Sequence, residues 1–149
     1  MASFSRTAIL EWVGDVGRGS GRITAGTKAF VAAATFPHLS GDPVGATTPE
    51  ELLAASHAVC FGIGLRSVLA QRGATATQLT VTATISAEKG GGQIRIVAAH
   101  LDGNVVGLIG IDSALLDEIA HAAERACTIS TILRATIPVT VTVRSTALV

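Results

Sequence analysis

The 149 residues carry 11 basic and 11 acidic side chains, so the formal net charge is zero, and 48% are hydrophobic against 15% charged. A neutral chain without a Lys/Arg cluster excludes a nucleic-acid surface that grips phosphates. Low charge with high hydropathy excludes intrinsic disorder. The length suits one domain spanning 1–149, and the surplus of apolar residues predicts burial of surface against another subunit. The longest strongly apolar run, Leu52 to Leu65, is interrupted by Ser56 and His57 and falls short of the ~18 residues of a membrane span. Met1 to Arg6 has no apolar signal core. The expectation is a soluble, cytoplasmic protein with no membrane partner.

Residues 6–13 alternate as a strand does, and the glycine-rich stretch 14–19 turns the chain. Gly21 to Ala25 and Lys28 to Thr35 predict two further strands of an antiparallel meander. Pro37 to Ala46, with Gly41, Pro43 and Gly45, reads as a loop. Thr48 is a suitable N-cap, Pro49 fits the first helical position, and Glu51 completes a capping box. The helix is predicted from Pro49 to about Gln71, with Gly73 as its stop. Its apolar residues lie almost all the way round, which predicts burial on most sides.

Leu79 to Ala87 alternates as a strand, residues 88–92 form a hairpin turn, and Gln93 to Leu101 returns until Asp102-Gly103 breaks the pattern. Asp112 or Ser113 caps a second helix with Leu115, Leu116, Ile119 and Ala123 on one face. Cys127 to Leu133 reads as a separate helical turn. Residues 135–144 form a last strand, in which Pro138 marks an edge or a bulge. The order βββ-α-ββ-α-β is an α+β fold.

Cys60 and Cys127 are the candidate nucleophiles. Without an export signal they are either small buried hydrophobes or a transient catalytic pair, and composition does not choose between these. Cys60 lies too deep in its helix for the dipole to help. Apolar surroundings raise a thiol's pKa, so a reactive thiolate there calls for a cation, with arginine held by a carboxylate as the suitable donor. Glu51 belongs to the cap, while Glu50 by spacing alone is an exposed first-turn acid. His57, His100 and His121 with the cysteines show no zinc spacing, so no metal is expected. His57 and Cys60, three apart on one helix, are poorly placed for a nucleophile–base bond.

The run Thr47-Thr48-Pro49-Glu50-Glu51-Leu52-Leu53-Ala54-Ala55-Ser56-His57-Ala58-Val59-Cys60-Phe61 resembles the signature of the OsmC/Ohr family of thiol peroxidases. Ala122-Ala123-Glu124-Arg125-Ala126-Cys127-Thr128-Ile129-Ser130-Thr131-Ile132-Leu133 resembles the second-cysteine segment of that family. The resemblance implies an OsmC-like α+β fold with a central buried helix, in an intertwined homodimer. It also implies a peroxidatic Cys60, a resolving Cys127 that forms a disulfide with it, and a Glu50 paired with an activating arginine. That arginine matches Arg18 in Gly17-Arg18-Gly19, with Arg22 second. No cofactor is implied. The resemblance implies a peroxide as substrate and an external thiol of the dihydrolipoyl kind as reductant, and an apolar lining predicts an alkyl or lipid hydroperoxide in preference to hydrogen peroxide. Two alternatives stay open. One is a Cys–His hydrolase using Cys60 and His57. The other is an inactive relative that binds an apolar ligand, because Ala34-Thr35-Phe36 stands where the OsmC branch carries Thr-Arg-Phe.

Overall fold

The alternating N-terminal residues form an antiparallel meander of β1 (Ala8–Val13), β2 (Ser20–Ala25) and β3 (Val31–Ala34). The computed structural model describes residues 1–36 and 44–149, and the predicted loop at 37–43 lies outside the described residues. By its contacts the chain divides into two units, Met1–Leu52 and Leu53–Val149, each described by itself. β3 starts later than the sequence pattern implied. Lys28 takes a positive φ of 65°, and its N–H donates to Ala25 O at 2.9 Å, so residues 26–29 are spent on the hairpin turn.

The long helix α1 covers Pro49–Gln71, as the cap and stop signals predict. Thr48 Oγ1 accepts from the Glu51 N–H at 3.4 Å, forming the first half of the capping box. The reciprocal half is absent, because the Glu51 carboxylate accepts from the Thr47 hydroxyl at 2.8 Å instead. At the other end Gly73 takes φ +74°. Its N–H donates to Ala70 O, and the Ala74 N–H donates to Leu69 O, the paired bonds of a Schellman stop.

In the second unit, β4 (Gln78–Gly90), β5 (Gln93–Val106) and β6 (Val139–Thr146) make a sheet in that order, β4 antiparallel and β6 parallel to the central β5. β5 does not break at Asp102-Gly103. Asp102 accepts from Arg144 of β6 at 2.6 Å. A Cβ at Gly103 would come within 3.0 Å of Val143 and 3.6 Å of Leu65, so the glycine marks where α1 and β6 close on the strand. Parallel pairing of β5 with β6 demands a crossover. Ser113–Leu115 (a 3₁₀ turn), α2 (Leu116–Ala126) and α3 (Thr128–Arg134) supply it. Asp112 caps the turn through its side chain, accepting from the Ala114 N–H at 2.9 Å. Leu115, expected on the apolar face of α2, is exposed, and Ala120 takes that place.

The core joins Phe61, Leu65 and Leu69 of α1 to Leu101, Val105 and Val141 of the sheet and to Leu116, Ile119 and Ala123 of α2. Each large apolar side chain buried this way contributes ~1.5–3 kcal/mol, enough to pin the middle of α1 and so the backbone at Cys60. The prediction of a helix buried on most sides does not hold within the chain. One stripe, His57/Phe61/Leu65/Leu69, is buried, while Val59 and Ile63 remain 62% and 68% exposed. The span count also needs correction. The helix extends beyond the apolar run, and by length and composition alone α1 is long and apolar enough to cross a membrane.

Candidate active site: a two-cysteine centre

Cys60 reaches the centre because it lies one position before Phe61, at the edge of the buried stripe, where its thiol is only partly covered. Cys127 arrives from the crossover as the junction of α2 and α3. Its extended backbone (φ −73°, ψ 119°) ends α2, and its sulfur caps α3 by accepting from the Ser130 N–H at 3.5 Å. The two thiols are neighbours, close enough for each to shift the acidity of the other, although 67 residues apart in sequence.

Their acidities are split. Burial raises the pKa of Cys60, but the Ile129 N–H, the Cys127 thiol and the Thr128 N–H outweigh it, and the net direction is downward. Burial likewise raises that of Cys127, and there burial wins despite the donors from Ser130. The donors at Cys60 thus favour its thiolate and burial at Cys127 favours its thiol, the division of labour that a nucleophile and its partner need. The sequence reading required a cation for this. The structure supplies neutral backbone donors at the start of α3, a device that side-chain identities do not announce.

Behind Cys127 lies a polar group the sequence reading missed. His57 is fully buried and its Nε2 is 2.7 Å from Ser130 Oγ, while Nδ1 is buried with no partner. Ser130 meets Cys127 through its backbone N–H, the donor to the sulfur at 3.5 Å. Glu124, buried on α2, forms an ion pair with Arg134 of α3, which also donates to the Glu124 carbonyl at 3.2 Å. Burial lowers the pKa of His57, and the Glu124 charge partly opposes this. The sequence did hold one signal. Each cysteine has a polar side chain three residues away along a helical turn, His57 before Cys60 and Ser130 after Cys127.

A Cys60–His57 dyad is not formed, since the histidine engages Ser130. His100 bonds Thr140 and His121 bonds the Asp117 carbonyl; neither joins the centre. Among the described residues no group of three or more His, Cys, Asp or Glu is arranged to hold a metal.

In the first unit, Glu50 differs from the exposed acid that spacing implied: its Oε2 is buried and has no hydrogen-bond partner. Arg22 is engaged by Glu11 at 2.8 Å on the neighbouring strand. Arg18 is fixed through its backbone N–H, which donates to Asp15 Oδ1 at 2.8 Å, and no ion pair joins its guanidinium to Glu50 among the described residues. The same unit holds a cavity of ≈340 Å³ lined by Leu10, Trp12, Val16, Ile23, Phe36 and Leu52 among others.

The model of the OsmC-like protein family matches residues 40–142. Peroxiredoxin OsmC of Escherichia coli (strain K12) is 33% identical over 135 residues, covering 85% of this chain and 87% of that protein. The chain belongs to the OsmC-like family. Solved OsmC-like structures share the fold. An organic hydroperoxide resistance protein from Elizabethkingia anophelis superposes with a TM-score of 0.76 at 21% identity, covering 97% of this chain and 99% of that one. The organic hydroperoxide resistance protein OhrB of Bacillus subtilis gives 0.68 at 23% identity, covering 93% and 98%. The α+β order read from the sequence is therefore the OsmC-like fold, with the second helical stretch divided at Cys127.

Proposed function

We propose that this OsmC-like chain, read as one domain over 1–149, is a cytoplasmic thiol-dependent peroxidase that reduces organic hydroperoxides and, less readily, hydrogen peroxide. The observation that carries this reading is the pair of free, neighbouring thiols, Cys60 facing the backbone N–H groups at the start of α3 and Cys127 buried at the α2–α3 junction. The Cys60 thiolate attacks one peroxide oxygen, the O–O bond breaks, and the alkoxide leaves as the alcohol after taking a proton. Cys60 becomes a sulfenic acid, oxidised by two electrons. Cys127 condenses with it, water departs, and a Cys60–Cys127 disulfide remains. An external dithiol of the dihydrolipoyl kind reduces that bond. In this reading Arg18 supplies the guanidinium, with Glu50 holding it. The unpartnered Glu50 oxygen supports the demand for such a cation. The names of the relatives support the peroxide chemistry, and the apolar cavity of the first unit suits an alkyl chain. The test is a peroxide-consumption assay with a panel of reductants. Turnover of alkyl hydroperoxide with a dithiol, and slower turnover with a monothiol, is expected; no consumption with any reductant would refute the reading.

The acting form in this reading is a homodimer. Val59 and Ile63 leave an apolar strip of α1 open on the isolated chain, and a second copy is the cover we assign to it. Sedimentation is expected to give a dimer at low micromolar concentration. Ile63→Glu should shift it toward monomer, because burial of an unpaired carboxylate costs several kcal/mol. A monomeric wild type would remove the dimer from the proposal.

A further inference from the structure

The peroxidase reading uses the two sulfurs and leaves unexplained a buried polar pair beside them. His57 Nε2 lies 2.7 Å from Ser130 Oγ, and both residues are fully buried. Stability alone does not account for the pair. Nδ1 of the ring is buried without a partner, and an apolar side chain in that place would leave no such group unsatisfied. A directional bond inside a core adds register instead, because it forms at one alignment of its two elements and is lost at others.

The spacing identifies the alignment that is fixed. His57 precedes Cys60 by three residues on α1. Cys127 is the N-cap of α3 and Ser130 its third residue, and the Ser130 N–H donates to Cys127 Sγ at 3.5 Å. Residues three apart along a helix stand one turn apart on the same face, about 5–6 Å between Cβ atoms. Two rungs therefore join α1 to the start of α3: His57 to Ser130, and one turn along, Cys60 to Cys127. Both cysteines pack into the same core cluster, Cys127 buried within it and Cys60 against it. The far end of α3 is fastened to α2 through Arg134 and Glu124, which does not set its position along α1.

We propose that the His57–Ser130 hydrogen bond is a register pin that holds Cys127 opposite Cys60 and sets how readily the two thiols close into a disulfide. The proposal rests on the disulfide step of the peroxidase reading. His57 and Ser130 act through the elements they join, so both are positioning residues. A disulfide accepts Cα separations of about 4.4–6.8 Å, and a slip by one helical rise of ~1.5 Å takes up more than half of that range. A bond that merely adds stability strengthens the dithiol and disulfide forms alike and cancels from the equilibrium between them. A pin constrains the dithiol form, in which no covalent link joins the cysteines, and is redundant once the S–S bond exists. Its loss should therefore weaken the disulfide relative to the dithiol.

The experiment equilibrates the protein with mixtures of reduced and oxidised dithiothreitol. Cys60 and Cys127 together give up two protons and two electrons and form their S–S bond. The S–S bond of oxidised dithiothreitol breaks and takes them up. The disulfide fraction is read by intact mass after acid quench and alkylation. Ser130→Ala is expected to lower the exchange constant about three- to tenfold, the span of one neutral hydrogen bond. His57→Leu/Ser130→Ala replaces both partners by apolar groups. Its thermal transition in the reduced form should stay near that of the wild type, while its exchange constant falls as far as that of Ser130→Ala. If Ser130→Ala does not fold, the double variant decides. Exchange constants that stay at the wild-type value in these variants would overturn the pin, whatever their stability. A wild type that forms no Cys60–Cys127 disulfide at any ratio would overturn the disulfide step beneath it.

Discussion

Cys60→Ser is expected to reduce peroxide consumption to the background of the reductant alone, whereas Cys127→Ser should consume one equivalent per chain and then stall. The difference follows from the two thiols having different work. Only Cys60 carries the donor set, from Ile129, Cys127 and Thr128, that favours its thiolate. An alcohol at position 60 is neither ionised nor polarisable enough to open an O–O bond. Loss of Cys127 leaves the first chemical step in place, because two backbone N–H groups still face Cys60. The sulfenic acid then has no partner thiol and passes to sulfinic acid with further peroxide. Peroxide loss and intact mass together check this. Sustained turnover by Cys127→Ser with a dithiol, at the wild-type rate, would show that an external thiol resolves Cys60 directly.

The regular elements were legible because their signals are local. Thr48, Pro49 and Gly73 fix both ends of α1 through backbone geometry that any context preserves. The cysteines were legible by type and by the motifs around them. What failed was decided at a distance. Gly103 reads as a strand breaker, yet it continues β5 because Leu65 and Val143 come from elsewhere in the chain to occupy the space beside it. The apolar residues round α1 read as burial on most sides, but a sequence does not say whether the cover is the same chain or another. Ser130 carries no mark of its own in the second-cysteine segment, because its partner His57 lies 73 residues earlier. The backbone donors to Cys60 carry no side-chain signature at all, so a sequence shows only cations as candidate activating groups.

Arg18→Ala is expected to raise the pKa of Cys60, with ~1.4 kcal/mol of lost preference for the thiolate for each tenfold change in its ionisation equilibrium. Two sources of stabilisation are at issue. The N–H groups of Ile129 and Thr128 already lower the Cys60 value and stay when Arg18 is removed, so the thiol should not return to that of free cysteine. In the proposed reading the guanidinium adds to their effect and also stabilises charge on the leaving alkoxide. The rate of peroxide reduction at neutral pH should then fall further than the thiolate fraction alone. Arg18→Lys should restore little, because an ammonium makes no planar bidentate contact with Glu50. Glu50→Ala should also slow the reaction by releasing the guanidinium, although removal of a negative charge by itself favours the thiolate. Arg22→Ala is the control: Glu11 already holds Arg22 on the meander, so its loss should leave Cys60 unmoved. The pH dependence of Cys60 alkylation, read on a Cys127→Ser background so that one thiol reports, separates these outcomes. A profile that moves with Arg22→Ala and not with Arg18→Ala transfers the role to Arg22. A profile that neither variant moves leaves the start of α3 as the sole source of the shift, and Glu50 then needs another partner.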